Sequence, residues 1–321
     1  MPGQDLIDIH AHFFTPEYHQ ALRAAGLDSV DGFPIPDWSM DSAIELMDLW
    51  GIRTQLLSIS APGIEFAPRS AARKLARDVN ENNAALIRRH PTRVGGFALL
   101  PLPDVDGALE EIAHALDVLK LDGIVLFTHI NGIYLGDKRF DAIFDELNRR
   151  KAVVFVHPVA PPGFDMNRLG FPAPCVEFPF DTTRMIMNMI ASGTVRRCPN
   201  VRLIVAHGGG TLPFLEHRIG RNIVRFGKAN PPFTPEEVMA AFKWFYYDVT
   251  AVSHQHAIDS LLTLVPIDRL LYGSDHPFML PTLIPPAIDF IKSLPRLDAS
   301  ARQAVANGNA LKLFPRLAAH A

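Results

Sequence analysis

Short apolar runs recur along the chain, separated by longer segments of helical period. The runs fall at 6–10, 55–60, 94–100, 123–127, 153–157, 201–207, 245–250 and 269–274. Each is too short for a buried helix and rich enough in Val, Ile, Leu and Phe to read as a strand covered on both faces. The segments between them repeat apolar residues at i, i+3, i+4 and i+7. In 137–150, Phe140, Ile143, Phe144 and Leu147 make one such stripe, with Asp137 placed to cap. In 105–120 the stripe is Ala108, Ile112, Ala115, Leu116 and Leu119. The segments 39–50, 69–90, 181–193, 211–226, 253–264 and 281–294 fill the remaining places, and 298–314 closes the chain as a last helix. Eight strands alternating with helices predict a parallel sheet. Eight units are what a (β/α)8 TIM barrel needs, and an open doubly wound sheet is the alternative. No linker divides the sequence, so residues 1–321 are expected to form a single domain.

Three connections exceed ordinary length: 13–38, 159–180 and 227–235. In a barrel the first two follow strands one and five, and so lie on the C-terminal face as walls or lids of a site.

Composition narrows the setting. The 321 residues are 48% hydrophobic and 20% charged, with a formal net charge of −3. There is no Lys/Arg block, so neither nucleic acid nor an anionic membrane surface is an expected partner. No apolar stretch approaches the roughly 20 residues of a membrane span. No charged and apolar leader precedes the first strand, so a cytoplasmic location is expected. Cys175 and Cys198 have neither zinc spacing nor a disulfide framework.

Candidate chemistry gathers at strand ends. In Asp8-Ile9-His10-Ala11-His12 the two histidines are two apart, which in a strand puts both imidazoles on one face. His129 follows strand four, His157 ends strand five and His207 opens His207-Gly208-Gly209-Gly210 after strand six. Asp248 lies in strand seven and Asp275 ends strand eight. Any one of these histidines has a structural explanation as a hydrogen-bonded core residue. So many at strand ends, which a barrel brings to one mouth, is a coincidence that a shared site explains. Several imidazoles with a carboxylate make an N/O donor set suited to one divalent ion, Zn²⁺ first, with Mn²⁺ or Fe²⁺ as alternatives.

The chain resembles the amidohydrolase superfamily, and within it the aminocarboxymuconate-semialdehyde decarboxylase-like group. The resemblance rests on Asp8-Ile-His10-Ala-His12-Phe13, Val156-His157-Pro158, His207-Gly-Gly-Gly210 with Pro213-Phe214 and Arg218, Tyr247-Asp248, and Gly273-Ser-Asp275-His-Pro277, in that order. It implies that His10, His12, His157 and Asp275 bind a single metal, with His207 beside it as a catalytic histidine or as one that supports the ligands from behind. It also implies that Arg218 reaches across a dimer interface to a substrate carboxylate, in a homodimer or a dimer of dimers. No lysine stands after strand four or five where a carboxylated bridging lysine would, which argues against the binuclear branch of the superfamily.

The stretch 32–39 resembles members related to 6-methylsalicylate and other hydroxybenzoate decarboxylases. Some of the group carry an arginine in the first long loop to hold a second carboxylate. Here 13–38 offers only Arg23, which favours a mono-acid substrate. Phe33, Trp38 and Phe178 are candidates to cover a flat ring, or else simple loop packing. The expected reaction is non-oxidative loss of CO₂ from a small aromatic, salicylate-type or related enolic carboxylic acid, with Asp275 or His207 delivering a proton. Two alternatives use the same parts: a hydrolase or hydratase acting through metal-bound water, and a metal-binding relative without activity.

Overall fold

The computed structural model describes residues 5–164 and 170–318. The part of the 159–180 connection at 165–169 lies outside the described residues. Eight strands form one sheet: β1 (Leu6–His12), β2 (Ile52–Ser58), β3 (Val94–Leu99), β4 (Gly123–Phe127), β5 (Val153–His157), β6 (Arg202–Val205), β7 (Tyr246–Asp248) and β8 (Leu270–Leu271). Neighbours in space are neighbours in sequence, and every pairing is parallel. The two ends meet. Ile9 N donates to Tyr272 O at 3.0 Å, Asp275 N to His10 O at 2.8 Å and His12 N to His276 O at 2.7 Å. This sequential, closed order is that of a (β/α)8 barrel, and it excludes the doubly wound sheet, in which the order reverses at a switch point.

Helices follow the strands: α1 (Met40–Trp50), α2 (Arg69–Arg89), α3 (Val105–Ala113), α4 (Asp141–Arg150), α5 (Glu177–Ala191), α6 (Leu212–Phe226), α7 (Gln255–Leu264) and α8 (Ile284–Ser293). Local chemistry sets their ends. Ser39 caps α1 by accepting from Ser42 N at 3.2 Å, and Gly51 (φ 71°) ends it in the left-handed conformation that glycine adopts without a Cβ penalty. Asp104 caps α3 and is also paired with Arg69 and Arg73 on α2. Inside the barrel, Phe97 and Phe155 stack 5.5 Å apart below His10, whose ring lies 4.8 Å from that of Phe155. The site thus stands on an aromatic floor.

Three stretches differ from the periodicity reading. The connection 13–38 contains a helix, Pro16–Ala24, and a small hairpin that pairs Ser29–Val30 with Phe33–Pro34. Thr15 starts this helix by accepting from Tyr18 N at 3.1 Å, while Tyr18 and Leu22 bury its single inner stripe. The helix expected over 105–120 opens into a π turn at His114–Val118. The last helix breaks into Ala299–Gln303, a π turn at Ala304–Gly308, and Asn309–Leu313. There Asn309 is buried and donates to the carbonyls of Ile267 and Leu270, both at 2.9 Å, a job that binds it to the base of β8.

Candidate metal centre and cavity

Asp8 lies under the site and organises it. It is wholly buried and accepts four hydrogen bonds: from His10 N (3.1 Å), Ser274 N (2.9 Å), Ser274 Oγ (2.6 Å) and Gln55 Nε2 (3.0 Å). One carboxylate therefore ties β1, β2 and the chain after β8 together. Burial pushes it up to about 6, against the lowering effect of those donors.

The next residues up are the histidines. Nδ1 of His10 is 2.8 Å from Asp248 Oδ2. Nδ1 of His12 lies 3.3 Å from Ser58 O and 3.1 Å from Ser58 Oγ. Nδ1 of His157 lies 2.7 Å from Pro158 O. Each imidazole thus has an acceptor at Nδ1, which puts the proton there and leaves the Nε2 lone pair facing inward. The Nε2 atoms of His10 and His12 are 3.1 Å apart. Asp275 Oδ1 is 3.4 Å from the first and 3.2 Å from the second, yet makes no hydrogen bond among the described residues. One ligand atom from each of His10, His12, His157 and Asp275 lies within 4.8 Å of the others.

Lone pairs facing each other at that distance repel unless a positive charge sits among them. A divalent cation meets that need, so the four residues fit a metal by donor type, tautomer and spacing. Burial and the neighbouring imidazoles hold His157 well below its usual value. Burial also lowers His12, against the raising effect of Asp275. Both effects favour the neutral, ligating form. His10 is driven the other way: burial opposes its charge, but the carboxylates of Asp248 and Asp275 raise it to about 10.

His207 stands beside the cluster. Its Nε2 is 3.5 Å from Asp275 Oδ2, its backbone N donates to Asp248 Oδ1 at 2.9 Å, and its buried Nδ1 has no partner among the described residues. His207 (φ 54°) and Asp275 (φ 60°) both hold left-handed backbone conformations. Such conformations cost of order 1–3 kcal/mol in a non-glycine residue and tend to mark working sites. The glycines after His207 have a steric reason. Gly210 (φ 68°) passes so close to α5 that a Cβ there would lie 1.9 Å from Pro179 O.

Above the cluster opens a cavity of about 510 Å³. His157, His207 and Asp275 form its floor. Its walls are mainly apolar: Val30 and Phe33 from the hairpin, Phe178 from α5, and Phe278, Met279, Leu280 and Leu283 after β8. Two aromatic rings flank the floor, Phe178 at 5.7 Å from His157 and Phe278 at 5.6 Å from His12. Among the described residues no Lys or Arg lines the cavity.

The other candidates fall elsewhere. Trp38 packs edge-on to Phe13 at 5.9 Å and is not among the cavity-lining residues. Arg218 is exposed on α6 and does not line the cavity of its own chain. His129 bonds Ala160 O at 3.1 Å and accepts from Gly132 N at 3.2 Å, a structural role in a small hairpin. Asp8, Gln55, Ser58, Ser274 and Phe278 were not singled out by the sequence. Only Asp8 carried a signal, its place at the head of the His-x-His strand.

Barrel, mouth cavity and four-donor cluster define a metal-site enzyme scaffold of the (β/α)8 class. The amidohydrolase family profile matches residues 7–316, and the chain belongs to that family. It is 35% identical over 315 residues to the 6-methylsalicylic acid decarboxylase of Penicillium expansum, covering 97% of this chain and 96% of that protein. The solved 2,6-dihydroxybenzoate decarboxylase from Rhizobium superposes with a TM-score of 0.81 at 25% identity, covering 98% of this chain and 99% of that one. The dihydroxybenzoic acid decarboxylase from Polaromonas, solved with bound manganese and 2-nitroresorcinol, shares the fold with a TM-score of 0.82 at 23% identity, covering 98% and 97%.

Proposed function

We propose that this chain is a metal-dependent, non-oxidative decarboxylase of a small salicylate-type acid. One observation carries the reading: a cluster of three inward lone pairs and a carboxylate reaches, through His157 and Asp275, the floor of an apolar cavity flanked by two aromatic rings. The decarboxylase names of the relatives support it.

His10, His12, His157 and Asp275 would hold the ion. When bound, it supplies Lewis-acid stabilisation and a template for the substrate's oxygens. Zn²⁺ suits the donor set, and Mn²⁺ is the alternative that the Polaromonas structure supports. The acid enters with its carboxylate and ortho hydroxyl toward the floor and its ring between Phe178 and Phe278. The apolar walls exclude water, so charge developing on the ring is screened little. Asp275 Oδ2 and His207 Nε2, 3.5 Å apart, are placed to move one proton between them. That proton goes to the ring carbon bearing the carboxylate. The carbon–carboxylate bond then breaks, its electron pair restores the aromatic ring, and CO₂ leaves. Asp248 holds His10 and the His207 backbone in register throughout.

Arg218 lies outside its own cavity, so it can serve a substrate carboxylate only in a neighbouring subunit, as a bidentate fork. This reading includes a homodimer or dimer of dimers and a cytoplasmic location. No helix among the described residues is long and apolar enough to cross a membrane.

The test is turnover in ¹⁸O-labelled water. Decarboxylation releases CO₂ and leaves the phenolic product without the label. Label in the organic product would replace this reading with hydrolysis.

A further inference from the structure

The cavity is larger than a bare hydroxybenzoate requires. At the ~30 Å³ that a water-sized group occupies in a liquid, 510 Å³ holds roughly 17 such groups, while a methyl-substituted hydroxybenzoate has about 11 non-hydrogen atoms. The surplus is not at the floor, where Phe178 and Phe278 close on the histidines. It lies toward the mouth, where Leu280 (64% exposed) and Leu283 (52%) face water without a described cover, beside Met279 and the hairpin residues Val30 and Phe33. Exposed large apolar side chains continuous with a ligand cavity mark a surface that gains when apolar matter covers it.

From this we infer a subsite for an alkyl chain, formed by Val30, Phe33, Met279, Leu280 and Leu283 and occupied by a tail of about four to six carbons on the substrate ring. The inference rests on the decarboxylase reading for the ring's orientation. With carboxylate and ortho hydroxyl at the floor, the opposite ring edge faces the mouth. The tail is therefore carried at ring position 4 or 5, counting the carboxylate carbon as 1 and the hydroxyl carbon as 2. Among the described residues of this chain the walls toward the mouth are apolar and carry no Lys or Arg, which favours an uncharged tail over a charged one. The chemical class is a 4- or 5-alkyl salicylate.

Two readouts on the metal-loaded protein test the subsite. The series is 2-hydroxybenzoate with a methyl, butyl or hexyl group at position 4, and 2-hydroxy-6-methylbenzoate for comparison. A fully buried methylene adds about fourfold. With the mouth partly open, about twofold to fourfold per carbon is expected for kcat/KM up to butyl, expressed mainly in KM. Kd from calorimetry should fall in parallel. Leu280→Asp with Leu283→Asp should collapse the butyl-to-methyl ratio toward one; both residues are exposed, so the fold tolerates the change. Turnover of the methyl compounds with a butyl-to-methyl ratio at or below one overturns the subsite and leaves the decarboxylase reading standing. No turnover of any member with Kd still falling along the series does the reverse. Flat Kd values, or a ratio unmoved by the double variant, overturn the subsite outright, the second outcome meaning that the chain is covered by something other than these leucines.

Discussion

Asp248→Asn is the sharpest single-atom perturbation of this site. The carboxylate is wholly buried and accepts three hydrogen bonds. Oδ2 faces His10 Nδ1 at 2.8 Å, and Oδ1 takes the backbone N–H groups of His207 (2.9 Å) and Thr250 (3.0 Å). Asparagine keeps the shape but must turn its NH₂ toward one side. Turned toward the backbone, it strands two buried N–H donors, at about 1–3 kcal/mol each. Turned toward His10, it strands none, because the imidazole can move its proton to Nε2. The second orientation should win, and its consequence is specific: the His10 lone pair leaves the metal cluster. The fold should survive with a small change in melting temperature. Metal affinity should fall about 10–100-fold, equivalent to about 1.4–2.7 kcal/mol, and turnover at limiting metal should fall with it. Competition against a chromogenic chelator reads the affinity. Wild-type affinity in a folded Asp248→Asn protein would refute the claim that Asp248 fixes the His10 tautomer.

Other consequences are independent of that one. His10→Ala, His157→Ala and Asp275→Asn should each lose the metal by elemental analysis, whereas His207→Ala should keep it and lose turnover; metal lost in the last variant would make His207 a ligand. Gly210→Ala forces a Cβ against Pro179 O and holds alanine at φ 68°, a combination worth about 2–4 kcal/mol of destabilisation. A denaturation midpoint equal to wild type would show that α5 can move away. Asp104 is held well below the usual carboxylate range by Arg69 and Arg73. Its contribution should be fully present above its unfolded value of 3.8 and be lost as pH falls through the lower folded value. Asp104→Asn keeps a capping oxygen but loses the charge paired with Arg69 and Arg73, and should cost about 1 kcal/mol at pH 7. The gap to wild type should close in acid, and denaturation at several pH values would show if it does not.

Much of this architecture was legible in the sequence because central parallel strands are buried on both faces, and each of the eight shows as an apolar run between helical stripes. Where other forces decide, the pattern failed. The Pro16–Ala24 helix buries only Tyr18 and Leu22, too narrow a stripe to stand out among prolines and glycines. Only Leu270–Leu271 of the last run pairs as a strand, since the chain beyond turns to present Asp275 in a left-handed conformation. The ligand candidates were legible because strand alternation and barrel closure are geometric rules. The supports were not: Ser58 and Gln55 meet His12 and Asp8 from β2, and Ser274 meets Asp8 from the chain after β8, and nothing local announces a hydrogen bond across 46 or 266 residues. Trp38 shows the limit for loop aromatics. Its ring packs on Phe13, away from the cavity that Phe33 lines, and sequence carries no direction for a side chain in irregular backbone.

The measurement that bears most directly on the account is CO₂ release from a salicylate-type acid as stripped protein is titrated with Zn²⁺ or Mn²⁺. Release should be absent without metal, rise in proportion to bound ion, and level off at one ion per chain. Release that persists after stripping, or a fully loaded protein that releases no CO₂ across the acid panel, would contradict the assignment of this cluster as the centre of a decarboxylase.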